Sequence, residues 1–198
     1  MLLGKVIHKH YIVFKPYGFL SQFQTNSRQQ QSKKLLGGLA DFSKGAMAIG
    51  RLDEKSEGLL LVTTDGKISD FVNGQKVDKE YYVQVDGDMS SDAIGRLEKG
   101  VEIGFNGGKY LTKPCKVLKL SDVPDLPGRP KKIRDDRHGP TSWLSITLNE
   151  GKFRQVRKMT SAVGFPTLRL VRVRIGKIKL GKMQPSDVVE VGGFLDLL

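Results

Sequence analysis

The sequence predicts an α+β fold in which the strands pair mostly antiparallel. Several short segments alternate apolar and polar residues with a period of two, as half-buried strands do. Three other segments have the apolar spacing of short helices. The chain shows neither a repeat of solenoid length nor a heptad pattern, so solenoid and coiled-coil architectures are not expected.

The chain begins with a predicted strand and a polar loop. Residues 11–14 form the strand. The following segment, Lys15-Pro16-Tyr17-Gly18, is typical of a turn, because proline fixes φ and glycine adopts the positive φ that many turns require. Residues 21–34 are rich in Gln, Ser and basic side chains. This composition predicts a solvent-facing loop that either lies on a partner or is mobile.

The remaining regular elements follow from apolar spacing. The predicted strands are residues 46–49, 59–63, 80–86, 143–148 and 168–175. The predicted helices are residues 67–72, 91–99 and 155–163, the last two ended by Gly100 and Gly164. In the last strand Val171 and Ile175 share one face, and we expect Arg172 and Arg174 to form an outward basic face.

Residues 121–142 are predicted to form a long basic loop. Prolines at positions 124, 127, 130 and 140 exclude a central strand or a continuous helix. Lys and Arg outnumber Asp and Glu, 33 to 21, which gives a formal net charge of +12 and indicates a polyanionic partner, first of all nucleic acid. The charge of this loop therefore favours contact with RNA over plain disorder.

Other classes of protein have little support in the sequence. The longest apolar runs are too short to span a bilayer, and no basic amphipathic helix is long enough to anchor the chain, so we expect no membrane partner. The single cysteine, Cys115, excludes an internal disulfide and a cysteine zinc cluster. Basic residues and histidines replace the apolar stretch of a signal peptide, which predicts a cytoplasmic protein.

Asp53 is the first candidate for chemistry, because it lies in a glycine-bracketed loop between two apolar strands. Its default role is to cap its own backbone in an Asx turn. A catalytic role requires a fixed, ionised carboxylate, and a buried arginine that forks onto both oxygens would supply this; Arg157 is the candidate. Tyr81 is either a core residue or a side chain that stacks on a base with its hydroxyl available for proton transfer.

The predicted helix from residue 155 begins among three cations, Arg154, Arg157 and Lys158. The backbone dipole already makes this end positive, so the placement costs stability. It is favourable if the amides and cations together hold phosphates or a carboxylate. The alternative is a basic surface turn whose charges are solvated.

Four separated motifs resemble those of the pseudouridine synthases of the small-subunit synthase A type, in the family's order. The matching stretches are residues 13–18 (VFKPYG), 50–53 (GRLD) with 56–61 (SEGLLL), 79–81 (KEY) and 150–159 (EGKFRQVRKM). Any one of these motifs is a weak signal, whereas the four together are highly specific. Residues 140–169 resemble most the subgroup of the large-subunit synthase E.

This resemblance implies a fold and a reaction. The fold is a central, mostly antiparallel mixed sheet in two α+β halves flanked by helices, with the active cleft between the halves. The reaction breaks the N-glycosidic bond of a specific uridine, rotates the base and rejoins it to the ribose through carbon, without a cofactor or a metal. The implied partner is large-subunit (23S) ribosomal RNA; a small-subunit or transfer RNA target is the alternative.

The resemblance also implies residue roles. Asp53 matches the nucleophile, Arg157 the residue that pairs with it, Tyr81 the tyrosine that stacks on the base, and Arg51 the arginine that fills the gap left by the flipped base. Extruding a base from folded RNA has an energetic cost, so cations must hold the RNA backbone. The candidates are Lys15, Arg129, Lys131, Lys132, Arg134, Arg137, Lys152, Arg154, Lys158, Arg172 and Arg174.

Some features depart from the family. Most relatives carry an N-terminal RNA-binding domain of the S4 type, but the first motif here begins at residue 13, as in the synthase E subgroup. We therefore expect one catalytic domain over residues 1–198, acting as a monomer. Lys152, Phe153 and Lys158 replace residues frequent in the family, which affects the details of RNA contact. The rival from another class is a non-catalytic RNA-binding or ribosome-assembly protein, in which Asp53 would only repel phosphate.

Overall fold

The computed structural model describes residues 7–74, 77–133 and 136–194. Its strands are β1 (His10–Lys15), β2 (Phe19–Leu20), β3 (Lys34–Leu35), β4 (Met47–Ile49), β5 (Glu57–Thr63), β6 (Lys79–Asp86), β7 (Glu102–Phe105), β8 (Gly108–Leu111), β9 (Lys116–Lys119), β10 (Thr141–Leu148), β11 (Thr167–Ile175), β12 (Ile178–Lys179) and β13 (Val188–Val191). Its α-helices are α1 (Gly66–Gly74), α2 (Ser91–Lys99) and α3 (Gln155–Ala162), and short 3-10 turns cover Arg28–Gln30, Leu36–Gly38 and Asp136–His138.

Nine of the described strands form one mixed sheet. Seven follow the order β13-β1-β5-β11-β6-β10-β9, while β4 pairs with β5 and β12 pairs with β11. Within this sheet the described pairs are antiparallel except β5 with β11, where Glu57 lies opposite Val171. The prediction of an α+β fold with mostly antiparallel pairing is confirmed. The parallel pair is the seam between the half that contains β1 and the half that contains β6.

Close backbone contact holds the seam together. Gly58 has a φ of +103°, and a Cβ at this position would lie 2.3 Å from the carbonyl oxygen of Arg172. Any other residue would therefore push β5 and β11 apart. Both segments that matter for the site, the loop before β5 and helix α3 before β11, enter the sheet at this seam.

Apolar side chains from both faces of the sheet form the core, in three clusters. The largest packs α2 and α3 against β6 and β10, with Val156, Met159 and Val163 buried as the helical spacing predicted. The second contains Phe14, Leu59 and Val171 beside α1, and the third lies under the 3-10 turn Leu36–Gly38. In the part of the chain that the structure describes, no helix has the length and apolar character needed to cross a bilayer.

The prediction of an outward basic face on the last strand is wrong. Strand β11 shifts register against β6 between Arg172 and Arg174, which interrupts the alternation of faces. Arg172 is only 3% exposed, and its Nε donates to the carbonyl of Leu59 at 2.7 Å. Arg174 is half-buried and donates from Nε to Glu80 at 2.8 Å. Both cations are committed to the protein's own oxygens.

The polar loop of residues 21–34 is mostly exposed, as predicted, but its start is anchored. Ser21 is buried, and its hydroxyl accepts from the amide of Leu52 at 2.9 Å and donates to the carbonyl of Leu52 at 2.8 Å. This contact ties the loop to the residue before Asp53.

The sequence reasoning did not predict the hairpin of β7 and β8. Asn106 and Gly107 turn it with φ values of +50° and +78°. This is the Asn-Gly signal of a type I′ turn, so the information was present in the sequence. Strand β13, which pairs with β1 at one end of the sheet, was not predicted either.

Candidate active site

A cleft of about 220 Å³ opens at the seam between the two halves. One wall comes from the loop of residues 50–56 and the opposite wall from residues 149–156 around the start of α3. Side chains of β6 and β11 line the cleft between these walls. The site is therefore assembled from segments that are a hundred residues apart in the chain.

Asp53 and Arg157 meet at this cleft. The carboxylate Oδ2 lies 3.5 Å from the guanidinium Nε, and the side chains are 20% and 11% exposed. The expected fork onto both oxygens is not formed, because Nε makes no hydrogen bond and Nη2 donates to the carbonyl of Lys55 at 2.9 Å and to Ser56 Oγ at 3.2 Å. The loop backbone thus holds Arg157 in place. Its positive charge lies near the carboxylate of Asp53, but its Nε forms no hydrogen bond with the carboxylate oxygens.

The surroundings of Arg157 act on the pKa of its guanidinium in opposite directions. Burial lowers the pKa of its guanidinium, and the carboxylate of Asp53 counteracts this by raising it. An arginine side chain is not deprotonated in proteins, so Arg157 remains charged. The result is a permanent cation next to a partly exposed carboxylate.

The loop that carries Asp53 is fixed from several sides. The amide of Ser56 donates to the carbonyl of Asp53 at 3.0 Å, and the amide of Gly18 donates to the carbonyl of Glu54 at 2.8 Å. Leu52 is buried and hydrogen bonded to Ser21. The carboxylate therefore sits on a rigid support, as a group that must attack in one direction requires.

Tyr81 lies on β6 and lines the cleft. It is 7% exposed and packs with Leu52 and Val156, which belong to opposite walls. Tyr81 thus belongs both to the core and to the wall of the cleft. The two roles that the sequence left open, core residue and base-stacking residue, are therefore compatible. Its ring forms a flat apolar surface beside Asp53.

The exposed cations of the cleft lie at its opening. Arg51, Lys152 and Arg154 all line it, and Arg51 and Arg154 are exposed. Arg154 is the N-cap of α3 with a left-handed φ of +53°, and no side chain caps the helix amides there. Uncapped amides next to exposed cations form a favourable environment for an anion.

Several predicted RNA contacts are buried and serve other purposes. Lys15 is fully buried, and its Nζ donates to the carbonyls of Pro16 and Phe19 at 3.0 and 2.7 Å. Burial lowers the pKa of this ammonium to about 7. The expectation that Lys15 touches RNA phosphate does not fit this position, because the side chain points into the protein.

Arg129 is the second predicted RNA contact that is mostly buried. Its side chain is 10% exposed, lies over the ring of Tyr17 at 4.6 Å, and has Nη1 3.9 Å from the carboxylate of Glu57. Arg172 is buried as described above. Arg129, like Lys15, therefore stabilises the fold in this conformation, whereas Arg172 also lines the cleft and has no hydrogen-bond partner for its Nη2 among the described residues.

The remaining predicted contacts are distributed over the surface. Lys131, Lys132 and Arg137 are exposed on the basic loop, and Arg134 lies outside the described residues. Lys158 is half-buried on α3, with its Nζ donating to the carbonyl of Gly104 at 2.6 Å.

The sequence reasoning missed a buried ion pair behind the cleft. Glu57 is 1% exposed, and Arg169 forks onto it, with Nε 3.1 Å from Oε2 and Nη2 3.0 Å from Oε1. Nη2 also donates to the carbonyl of Pro127 at 2.7 Å. This pair fastens the basic loop to the sheet. A glutamate that opens an apolar strand was the available signal.

Glu150 and Gln155 were also missed. Glu150 accepts from the hydroxyl of Tyr110 at 2.6 Å and from the amide of Lys113 at 2.9 Å, and Gln155 accepts from the amide of Lys152 at 2.9 Å. A hydrogen bond joins Gln155 to Glu150. The network docks the turn before α3 on the β7–β8 hairpin. Its signal was the placement of both residues in the last of the four motifs.

Lys79 is a further cleft residue that the sequence reasoning did not select. Its Nζ donates to the carbonyl of Val77 at 2.9 Å, and burial, followed by the nearby charge of Arg172, lowers the pKa of the ammonium. Among the described residues, no group of three His, Cys, Asp or Glu side chains is arranged to hold a metal ion.

Comparisons with known proteins agree on one family. The sequence model described as RNA pseudouridylate synthase matches residues 9–162. A protein of Vibrio parahaemolyticus named ribosomal large subunit pseudouridine synthase E is 41% identical over 185 residues, which cover 91% of this chain and 73% of that protein. A protein of the same name from Xanthomonas campestris is 42% identical and is matched over 87% of this chain and 90% of its own length.

A solved structure agrees on the fold. The crystal structure described as a pseudouridylate synthase superposes with a TM-score of 0.73 at 21% identity, covering 93% of this chain and 70% of that one. At this identity the likeness bears on the fold, and it supports the mixed sheet with a central cleft.

Proposed function

The chain belongs to the RNA pseudouridylate synthase family, and from this membership we propose that it converts a specific uridine of large-subunit ribosomal RNA to pseudouridine. It is an RNA pseudouridine synthase. The observation that carries the assignment of the site is the position of Asp53, a partly exposed carboxylate 3.5 Å from the buried cation of Arg157 in a cleft with basic residues at its mouth.

The reaction is an isomerisation, so atoms and charge balance within the RNA. The N1–C1′ bond breaks, a C5–C1′ bond forms, the proton on C5 leaves and a proton returns to N1. We assign the nucleophile to Asp53, which attacks either the ribose or the base. Arg157 places a positive charge 3.5 Å from this carboxylate and attracts it electrostatically. Its guanidinium is held by the loop carbonyl of Lys55, so Asp53 is left open toward the substrate.

Tyr81 and Arg51 serve the extruded base. The ring of Tyr81 gives a stacking surface in the cleft wall, and its hydroxyl is the candidate for proton transfer. Arg51 is exposed at the cleft and can enter the RNA stack that the uridine vacates. Both roles follow the family resemblance and are supported by the placement of the two side chains around the same cleft as Asp53.

Cations at the cleft and on the basic loop hold the RNA backbone. Lys152 and Arg154 lie at the cleft, while Lys131, Lys132 and Arg137 extend the positive surface along the basic loop. Such contacts are sequence-independent, and the shape of the cleft and the base inside it supply specificity. We propose that residues 1–198 act as one catalytic domain, as a monomer in the cytoplasm, where ribosomal RNA is made.

The test is carbodiimide-adduct primer extension on transcripts of large-subunit ribosomal RNA, small-subunit ribosomal RNA and transfer RNA. Each is incubated with the wild type and with an Asp53→Ala variant. We expect one new stop on a large-subunit transcript with the wild type only. A stop confined to a small-subunit or transfer RNA would replace the proposed substrate, and binding of all transcripts without any stop would favour the non-catalytic RNA-binding protein.

A further inference from the structure

A second surface lies next to the cleft, on the outer side of the turn that precedes α3. It consists of Phe105, Tyr110, Lys152, Phe153 and Lys158, here called the aromatic–lysine patch. The Lys152 ammonium lies 5.3 Å from the ring centre of Phe105 and 4.9 Å from that of Tyr110. The Lys158 ammonium lies 5.3 Å from the ring centre of Phe153. Each ammonium group of the patch therefore lies against at least one aromatic ring.

Phe153 is the exposed member of the patch. Its side chain is 67% exposed, a larger fraction than that of any other phenylalanine or tyrosine among the described residues. The next residue, Arg154, is left-handed at φ +53° and ψ +33°, which is strained for a residue with a side chain. This conformation separates Phe153 from α3, so that its ring stands outside the core.

The surroundings hold this ring in place from one side. Lys158 lies against it and is itself fixed, because its Nζ donates to the carbonyl of Gly104 on β7. Lys152 is fixed by the two rings of the β7–β8 hairpin. A solvated aromatic ring against a fixed ammonium group is what a nucleobase with its phosphate requires, since the base stacks while the cation neutralises the backbone.

We propose that Phe153 is a stacking platform for an unpaired RNA base that neighbours the target uridine. The inference rests on the proposed function, since it presupposes that the cleft takes an RNA nucleotide. Phe153 lies in the turn before α3, four residues before Arg157, the residue that pairs with Asp53. Lys152 and Arg154, on either side of it, both line the cleft. An RNA strand that places its uridine in the cleft therefore passes over this turn.

The charges favour RNA over a protein partner. Both cations of the patch are lysines whose side chains lie against rings, and the chain carries a formal net charge of +12. An apolar protein surface docked on Phe153 would have to desolvate these ammonium groups, whereas an RNA strand releases counterions when it binds them. Phe153 replaces a residue that is frequent in the family. The platform would account for this replacement, because stacking requires an aromatic ring at position 153.

A tryptophan reporter tests the platform without any need for catalysis. Phe153→Trp is compared with Phe71→Trp, because Phe71 is an exposed phenylalanine, 43% exposed, that does not line the cleft. The native Trp143 is 8% exposed and is common to both variants. The probes are short oligouridylate and a fragment of ribosomal RNA that contains the uridine located by primer extension. We expect saturable quenching of the tryptophan introduced at position 153 and none beyond the Trp143 background at position 71.

Affinity provides the second readout. Phe153→Ala should weaken binding of both probes by about 5- to 10-fold, at the lower end of what the loss of one base–aromatic stack causes, while Phe153→Tyr stays within about twofold of wild type. Unchanged affinity of Phe153→Ala together with an unquenched reporter would overturn the platform and leave the patch to another partner. Pseudouridine formation by the wild type, measured separately, shows whether the proposed function itself stands.

Discussion

Two carboxylate–guanidinium pairs have their carboxylates four residues apart, in the loop and strand that enter the seam, and the pairs differ in burial and in hydrogen bonding. Asp53 and Arg157 face the cleft with one N···O distance of 3.5 Å and side chains 20% and 11% exposed. Glu57 and Arg169 lie behind it, at 1% and 9% exposure, with two hydrogen bonds of 3.1 and 3.0 Å. The arginine Nε forms no hydrogen bond with the carboxylate in the first pair, whereas the arginine forms two hydrogen bonds with the carboxylate in the second.

The difference separates a group that can react from one that cannot. The oxygens of Glu57 are both engaged, so a substrate would have to displace Arg169 to reach them. The carboxylate of Asp53 is electrostatically supported but not hydrogen bonded by Arg157, which leaves its lone pairs for a ligand. A buried, fully satisfied pair specifies how the chain packs, whereas an open pair preserves reactivity at some expense in stability.

The largest expected effect comes from Asp53→Asn, which keeps the shape of the side chain and removes the nucleophilic charge. We expect kcat to fall by about 10⁴-fold or more, because Glu150, the other carboxylate among the described residues that line the cleft, is engaged by Tyr110, Lys113 and Gln155. The free energy of unfolding should change by less than about 1 kcal/mol, since the pair is partly exposed and lacks a hydrogen bond. Single-turnover primer extension and urea unfolding measure the two quantities. Residual activity within tenfold of wild type would remove Asp53 from the mechanism.

The opposite outcome is expected for Glu57→Ala. Removing one partner leaves the Arg169 guanidinium buried and unpaired, which should lower the free energy of unfolding by about 3–5 kcal/mol. Glu57 does not line the cleft, so the activity per folded molecule should stay within about threefold of wild type. Urea unfolding, with activity measured well below the transition, distinguishes the two effects.

The matched control for this prediction is the double variant Glu57→Leu with Arg169→Leu. Replacing both charges by apolar side chains removes the unpaired cation, so it should be less destabilising than Glu57→Ala. If the double variant were the less stable of the two, Glu57 would not stabilise the fold mainly by compensating Arg169. The comparison between the two pairs would then need another physical basis.

Local patterns in the sequence predicted the parts of this arrangement that depend on nearby residues. From residue 46 onward, apolar spacing located five of the ten described strands and all three described α-helices to within a few residues, and α3 buries the three side chains expected of it. Arg157 was a candidate partner of Asp53 on chemical grounds, and the family motifs singled it out, because spacing within the chain gives no contact between residues a hundred positions apart.

Long-range burial was the main thing that the sequence did not reveal. Lys15 and Arg172 have the residue types of a nucleic-acid surface, yet the seam encloses both. Arg172 is turned inward where β11 shifts register, and such a shift is set by the partner strand rather than by alternation in the sequence. Glu57 and Arg169 could not be paired from sequence because the partner of each is decided by the parallel contact of β5 with β11.

Lys15 connects the two pairs and gives the smallest predicted effect. Burial lowers the pKa of its ammonium from 10.5 to about 7, although Glu57 and then Asp53 act to raise it. Between these two pKa values the unfolded chain binds more protons than the native one, so the free energy of unfolding rises with pH. Below pH 7 the ammonium is charged in both states, and the full cost of burying it remains. The slope from this one group is at most about 1.4 kcal/mol per pH unit.

The useful window for measuring this slope is pH 7 to 9. Above about pH 9 the thiol of Cys115 acts in the opposite direction, because burial raises its pKa from 9.0 to about 11 and the unfolded state then loses its proton first. Urea unfolding at several pH values should show stability rising across the window for the wild type and for the control Lys34→Met, which alters an exposed lysine. Lys15→Met should reduce the rise, because the neutral side chain has no proton to lose; the lowered pKa of Lys79 contributes a remaining rise in the same direction. A slope in Lys15→Met equal to that of the wild type would mean that Lys15 is charged in the native protein, held by the carboxylates of both pairs together.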